Sequence, residues 1–293
     1  MTDVATELLI VGGESDPNTQ RIVDQAHLRG KDYVFWDTDR PDARQIAWDF
    51  QSPVIDLGGD SIRPQSVFLR YNVFQGDPAQ NHAAFDAVES FALAWPEIRL
   101  LNRAVAGDSN NKSRNLRRAK DCGFRIPESL VLGDLSPLAT VPDPHQRIIK
   151  PLAGGDHTLV IGEMDRTPER LAALVPQFVQ EKLAGENLRV FSIGGELFAF
   201  HLSTTAIDYR TDQNVQVFAM EVPGDVIDSE LTERIGQLVG TIGFDYCALD
   251  FRCQHDFETP VFLEINSFPM FVAFDDAAEN RLADAMLRVL TGP

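Results

Sequence analysis

The feature that most constrains this chain lies near its C-terminus, where two short segments alternate in polarity with a period of two. In Tyr246-Cys247-Ala248-Leu249-Asp250-Phe251-Arg252 and Val261-Phe262-Leu263-Glu264-Ile265-Asn266, the residues Asp250, Glu264 and Asn266 fall at even positions. Leu249, Phe251, Leu263 and Ile265 fall at odd ones. Successive side chains of a strand point to opposite faces, so the pattern predicts a β-hairpin with oxygen donors on one face and apolar residues on the other. A register that joins the polar faces brings two carboxylates and an amide oxygen together, without a nearby Lys to neutralise them. A hard divalent cation such as Mg²⁺ suits that donor set, especially with phosphate oxygens as further ligands. Taken alone, the same alternation also describes a hairpin with one solvated face.

At 293 residues and 44% hydrophobic content the chain can bury a large core and hold two or three subdomains. No apolar run approaches the ~20 residues that span a bilayer. Thr2, Asp3 and Glu7 surround Leu8-Leu9-Ile10 with no basic segment before them, so a cytoplasmic protein is expected. A net charge of −18 disfavours nucleic acid and anionic membrane as partners. Cys122, Cys247 and Cys253 form no C-x-x-C pair and are read as structural, and the six histidines lack zinc-site spacing.

The first third alternates strand and helix. Strands are expected at 8–11, 33–36, 66–71 and 98–101, with helices from Asp16-Pro17 to Leu28 and over 79–94. Gly12-Gly13 is not followed by G-x-G-x-x-G, which argues against a dinucleotide site. A polar turn at 107–111 opens a basic helix from Lys112 to Lys120. Strands at 147–151 and 159–161 flank a glycine turn containing Gly154 and Gly155, and 178–183 is a further strand. Gly194-Gly195 joins a hairpin of 188–193 and 196–200, and helices are expected at 229–241 and 276–290.

Two lysines stand out among these elements. Lys150 ends an apolar strand beside the glycine turn, where backbone N–H groups can approach an anion and a Lys supplies a point charge. Lys112 opens its helix, where free N–H groups already favour anions. Each also has an ordinary reading as an exposed basic residue.

The order of motifs resembles the ATP-grasp superfamily, and more narrowly the ribosomal-protein glutamate ligases and microviridin-type peptide ligases. The segments are Lys112 with its helix, Ile149-Lys150-Pro151, Val179-Gln180-Glu181-Lys182-Leu183, Glu186-Asn187-Leu188-Arg189, Gly194-Gly195-Glu196, Leu249-Asp250-Phe251 and Leu263-Glu264-Ile265-Asn266. They cover the last two-thirds of the chain; the first third matches only in its α/β pattern and the Phe68-Leu69-Arg70 strand.

The resemblance implies a mixed α/β and α+β chain: a pre-ATP-grasp domain over 1–105, then an ATP-grasp domain over 106–293 with lobes 106–184 and 185–293. It implies that Lys112 and Lys150 contact ATP phosphates under a loop carrying Gly154 and Gly155. Glu181, Lys182 and Leu183 would hold adenine, and Glu186 or Asn187 the ribose. Asp250, Glu264 and Asn266 would bind one or two Mg²⁺ ions, with Mn²⁺ as a substitute. Arg189 matches the arginine of the family's Asp-x-Arg motif, although Asn187 stands in place of its acid. Arg210, in Ile207-Asp208-Tyr209-Arg210, resembles an Asp-Trp-Arg segment, and Arg189 and Arg210 would contact the transferred phosphoryl or acyl phosphate. Arg70, His201 and Ser267 are weaker candidates for substrate contact; a surface or interdomain salt bridge is the other reading of Arg70, and a hydrogen-bonded structural histidine that of His201. The aromatic run after Ser267 suggests either an apolar wall or a core-packing loop. Arg252 is expected only as a supporting partner of the metal carboxylates.

The implied activity is ADP-forming carboxylate–amine ligation through an acyl phosphate, on an amino acid, a peptide or a small carboxylate metabolite. The partners are then a carboxylate donor and an amine acceptor, and family precedent suggests a homodimer or homotetramer. An ATP-grasp phosphotransferase and a non-catalytic nucleotide-binding protein are the alternatives.

Overall fold

Leu8, Leu9, Ile10 and Val11 are all fully buried, which marks a central strand covered on both faces. They belong to β1 (Val4–Gly12) of a six-stranded sheet. The computed structural model describes residues 3–43, 45–74, 78–107, 111–152, 158–204, 206–253, 257 and 259–292, with the backbone alone at 80 and 210. After β1 come α1 (Pro17–Leu28), β2 (Tyr33–Asp37), β3 (Ile46–Trp48), β4 (Ile55–Leu57), β5 (Asp60–Leu69), α2 (Pro78–Ala94) and β6 (Arg99–Leu100). The strand order is β2-β1-β5-β4-β3, with β6 on β5. β1 runs parallel to both neighbours, so a crossover is required, and α1 provides it between β1 and β2. The antiparallel strands β3 and β4 are three residues each, too short for a periodic signal, and were not anticipated from sequence.

α3 (Lys112–Asp121) begins at the Asn111 cap, as the polar turn predicts. Next is a four-stranded antiparallel sheet of β7 (Ser129–Leu132), β8 (Arg147–Pro151), β9 (Leu159–Val160) and β10 (Gln177–Glu181), in the order β7-β10-β8-β9. The short α4 (Pro168–Ala172) closes its core through Leu171, against Ile149 and Val179.

The third sheet contains β11 (Glu186–Ile193), β12 (Glu196–Ser203), β13 (Gln216–Met220), β14 (Tyr246–Cys253) and β15 (Val261–Asn266), in the order β13-β12-β11-β14-β15. All its pairs are antiparallel. The β11–β12 turn needs positive φ at both central residues, and Gly194 (56°) and Gly195 (89°) supply it. One face of this sheet packs on α5 (Ser229–Ile242) and α3, through Leu188, Val190, Leu249, Leu231, Ile235 and Leu116. The other face carries Phe191, Ile193 and Ala248, under α6 (Val272–Ala277) and α7 (Arg281–Thr291). α7 is shared with the first sheet: Leu282, Met286 and Leu290 join one core with Leu8, Ile10, Ile22 and Phe68. The expected mixed α/β and α+β class is the one found.

Two expectations are corrected. The predicted single helix over 276–290 is split, because Glu279 and Asn280 take positive φ (55° and 66°) between α6 and α7. The buried Asp275 carboxylate makes the break favourable, as its Oδ1 accepts from the N–H groups of Leu282 (2.9 Å) and Ala283 (3.2 Å) at the start of α7. The strict alternation of the hairpin also fails at one point. Asp250 pairs with Glu264 but Phe251 pairs with Phe262, so Leu263 is a bulge residue and lines the same cavity as Glu264.

Asn102 ties the first sheet's exit to the third sheet. Its Oδ1 accepts from the N–H groups of Asp245 (2.9 Å) and Tyr246 (3.0 Å), and its Nδ2 donates to the carbonyls of Tyr246 and Ser267 (both 2.7 Å). Asn102→Ala strands three buried backbone groups and one partly buried, and is expected to cost about 3 kcal/mol, read as a lower urea midpoint at constant slope. A shift equivalent to less than about 1 kcal/mol would show that the staple is dispensable. Among the described residues, no helix is long and apolar enough to cross a membrane.

Candidate active site

The three middle strands of the third sheet align the chemistry. In the β11–β14 register Arg189 lies opposite Asp250, and in the β14–β15 register Asp250 lies opposite Glu264. Directly opposed residues share a face, so a guanidinium and two carboxylates form one row across the sheet. Asn266 follows two residues beyond Glu264, and its amide nitrogen donates to Asp250 Oδ2 (3.2 Å) and Glu264 Oε1 (3.3 Å). The predicted trio therefore converges.

It does not converge without a nearby Lys, and that expectation is overturned. Lys112 Nζ stands 3.5 Å and Lys150 Nζ 4.0 Å from Glu264 Oε2. Neither is a sequence neighbour of the hairpin. α3 packs on β15 and carries Lys112 to it, while β8 brings Lys150 from the four-stranded sheet. Lys150 is buried, its ammonium 5.9 Å from the centre of the Phe178 ring.

Arg189 is 5% exposed and held on several sides. Its Nη1 donates to Asp250 Oδ1 (3.1 Å) and to the hydroxyl oxygen of Tyr209, while the rings of Phe274, Phe191 and Tyr209 lie 5.2, 5.3 and 5.7 Å from its central carbon. Burial works against its charge, but Asp250 and then Tyr209 outweigh it, so its pKa lies above the ordinary arginine value. Its Nε has no hydrogen-bond partner among the described residues.

These groups line a cavity of about 540 Å³ between the four- and five-stranded sheets. At one end stand Lys112, Lys150, Arg189, Asp250, Glu264 and Asn266, and Glu181, Lys182, Leu183 and Asn187 also line it. The β10 exit is fixed by its backbone: Glu181 N–H donates to the Glu128 carbonyl (3.1 Å) and Lys182 N–H to that of Gln146 (2.8 Å). Another stretch of the wall is apolar, formed by Phe268, Pro269, Met270, Ala273 and Phe274 of the aromatic run noted in the sequence.

Other candidates lie elsewhere. Glu186 and His201 bind each other at 2.8 Å on the α5 side of the sheet, the face away from Arg189, because each is one residue out of phase with the cavity-facing positions. Arg70 is buried against Asp16 and does not itself line the cavity, and Ser267 is fully buried at the Asn102 staple. Arg252 lines the cavity but donates to the carbonyls of Gly185 (3.2 Å) and Ile207 (3.3 Å). Gly154 and Gly155 lie outside the described residues, as does the side chain of Arg210, whose backbone sits in a 3-10 turn at Tyr209–Thr211. Burial pushes the Cys253 thiol up to about 12 and that of Cys247 further, which leaves both protonated and inert. Sequence reasoning missed Tyr209 as a partner of Arg189, and Gln180 and Asp212 as lining residues. The tyrosine had a signal in its place beside Arg210, but nothing local marked the other two.

The donor set suits a hard divalent cation. Among the described residues, no three His, Cys, Asp or Glu side chains cluster as a metal site. Two carboxylates and one amide are instead what Mg²⁺ takes from a protein when phosphate and water complete its octahedron. Asn266 would present its amide oxygen after rotation of the amide, and Asp250 and Glu264 already share the face.

No family model and no curated protein matches the sequence. Solved structures do. The ATP-grasp ligase PsnB complexed with a minimal precursor is 26% identical, over 97% of this chain and 99% of that one, at a TM-score of 0.74. PsnB with minimal precursor, Mg and ADP is 25% identical over 99% of both chains, also at 0.74. The macrocyclase MdnC of Microcystis aeruginosa MRC, bound with its precursor peptide MdnA, has the same fold at 20% identity, over 98% of this chain and 100% of that one, with a TM-score of 0.74. By its fold and by the order in which its segments build the site, the chain is an ATP-grasp ligase.

Proposed function

We propose that the chain joins a carboxylate to an amine with release of ADP and phosphate, and that the carboxylate belongs to a peptide. The observation that carries this is the row Arg189–Asp250–Glu264, faced by Lys112 and Lys150 at one end of a cavity that also takes in the Glu181-Lys182-Leu183 segment. The peptide assignment draws on PsnB and MdnC, each solved with its precursor. In this reading 106–184 and 185–293 are the two ATP-binding lobes behind the 1–105 unit.

Lys112 and Lys150 leave Glu264 for the nucleotide's phosphate oxygens, and the β10 exit holds the adenine with backbone groups. A divalent cation on Asp250, Glu264 and Asn266 would supply neutralisation of charge on the phosphates. Arg189, fixed by Asp250 and three rings, offers its unused Nε–H to a further anionic oxygen, with Arg210 as a second candidate. A substrate carboxylate oxygen then attacks the γ-phosphorus as the bond to ADP breaks. The amine nitrogen attacks the resulting acyl carbon, phosphate leaves with the bonding pair, and the amine gives up a proton. The apolar wall keeps water from the acyl phosphate.

The test is ADP release across paired donors and acceptors, including peptides rich in Asp, Glu, Lys and Ser, with products weighed by mass spectrometry. The expected product has lost the mass of one water, and its formation requires both a carboxylate and an acceptor. A stable phosphorylated product with no acceptor requirement would assign a phosphotransferase instead. Folded protein that binds no MgATP would end the reading.

A further inference from the structure

Asp16 is wholly buried, yet it lies outside the cavity and has no part in the chemistry above. In sequence it is the cap of α1, and its Oδ1 does accept from the Asn18 backbone N–H at 2.8 Å. Capping uses only part of the carboxylate. Oδ1 also accepts from the Asn18 side-chain amide (2.7 Å), and Oδ2 accepts from Nε of Arg70 (2.5 Å).

Both partners then reach the segment that follows Asn266. Asn18 Oδ1 accepts from the backbone N–H groups of Phe271 (2.8 Å) and Val272 (3.3 Å), and Arg70 Nη1 donates to the Pro269 carbonyl (3.4 Å). The Tyr246 hydroxyl donates to that same carbonyl at 3.0 Å. Asp16, Asn18 and Arg70 are 0%, 2% and 7% exposed, so these bonds act in a low-dielectric setting where each is costly to break.

Further along α1 the same face continues the grip. Arg21 binds Asp275 (2.8 Å) and Asn280 (2.9 Å), and Gln25 and Arg29 bind Asp284 (2.6 and 2.8 Å). Steps of three and four residues from Asn18 through Arg21 and Gln25 to Arg29 make one stripe on a helix. Residues 269–284 are thus held along α1, and their first part presents Pro269, Met270, Ala273 and Phe274 to the cavity.

We propose that Asp16 is a positioning residue for the ligation reaction: through Asn18 and Arg70 it fixes the 269–272 backbone, and so sets where the apolar wall meets the carboxylate substrate. The kinetic arm of the test rests on the ligase reading, whereas the hydrogen-exchange arm does not. Asp16→Asn keeps an acceptor for Asn18 and the cap but turns an amide toward Arg70. Asn18→Ala removes the neutral arm alone and serves if the first variant fails to fold.

In Asp16→Asn the KM for the carboxylate substrate is expected to rise about tenfold, from loss of a charge-assisted bond. The nucleotide Kd by calorimetry should stay within about twofold. Backbone amides of Phe271 and Val272 should exchange faster while those of β14 and β15 keep their rates, and Asn18→Ala should move both readouts the same way. Unchanged KM and exchange in both variants would overturn the proposal, as would a parallel rise in KM and nucleotide Kd. An Arg70→Lys variant that alone raises KM, with Asp16→Asn silent, would assign Arg70 to direct substrate contact and also overturn it. If the unaltered protein releases no ADP, the ligase reading falls, and faster exchange at Phe271 and Val272 in the variants still supports the clamp.

Discussion

Asp250→Ala is expected to lower ligation turnover by at least about a thousandfold, because it removes half of the charged platform beneath the phosphates. It is also expected to destabilise the fold by about 3 kcal/mol, since it leaves the Arg189 guanidinium buried without its carboxylate. The two effects can be separated. Asp250→Asn preserves volume and one acceptor for Arg189 Nη1, so most of the stability should return while turnover stays lost. Glu264→Gln provides the contrast. Glu264 and Lys112 keep 23% and 22% of their side-chain surface in solvent, so breaking that pair should cost less than about 1 kcal/mol. Turnover should nevertheless fall as it does at Asp250. Urea melts and ADP release on the three variants give the comparison. An Asp250→Asn enzyme within about tenfold of normal turnover would remove Asp250 from the chemistry.

Why the hairpin was legible and its setting was not follows from range. Period-two alternation is a local property, and it placed Asp250, Glu264 and Asn266 on one face. The Leu263 bulge escaped because a register shift depends on the partner strand. The lysines escaped for a stronger reason: the docking of α3 on β15 and the approach of β8 are tertiary facts, and only they bring Lys112 and Lys150 to Glu264. Segment order, through the family resemblance, put the lysines at phosphates but said nothing of what they bind beforehand. α1 shows the same limit. Its cap and its span could be read from Asp16-Pro17 and Leu28, yet nothing local marks Asn18, Arg21, Gln25 and Arg29 as the residues that bind α6, α7 and the segments beside them. The helix break at Glu279 and Asn280 was hidden likewise, because the group that favours it, Asp275, acts through bonds seven and eight residues ahead.

Those lysines lead to the second large effect. Lys112 and Lys150 lie on Glu264 and Arg189 lies on Asp250, so among these described pairs three cations face two carboxylates. A divalent cation would meet Lys112 and Lys150 already on Glu264 and would have to displace at least one ammonium. Nucleotide phosphates reverse this: they draw the lysines off Glu264 and contribute oxygens of their own. Mg²⁺ is therefore expected to bind nucleotide-free protein about a hundredfold more weakly than protein saturated with a non-hydrolysable ATP analogue. By reciprocity, saturating Mg²⁺ should tighten the analogue by the same factor. Lys112→Met gives the linked result of opposite signs, with stronger binding of Mg²⁺ alone and weaker binding of the analogue. Paired calorimetric titrations measure all four affinities. Equal Mg²⁺ affinity with and without nucleotide would mean that the lysines do not guard Glu264. A Lys112→Met protein that loses both affinities would instead show that Lys112 organises the site rather than neutralising it.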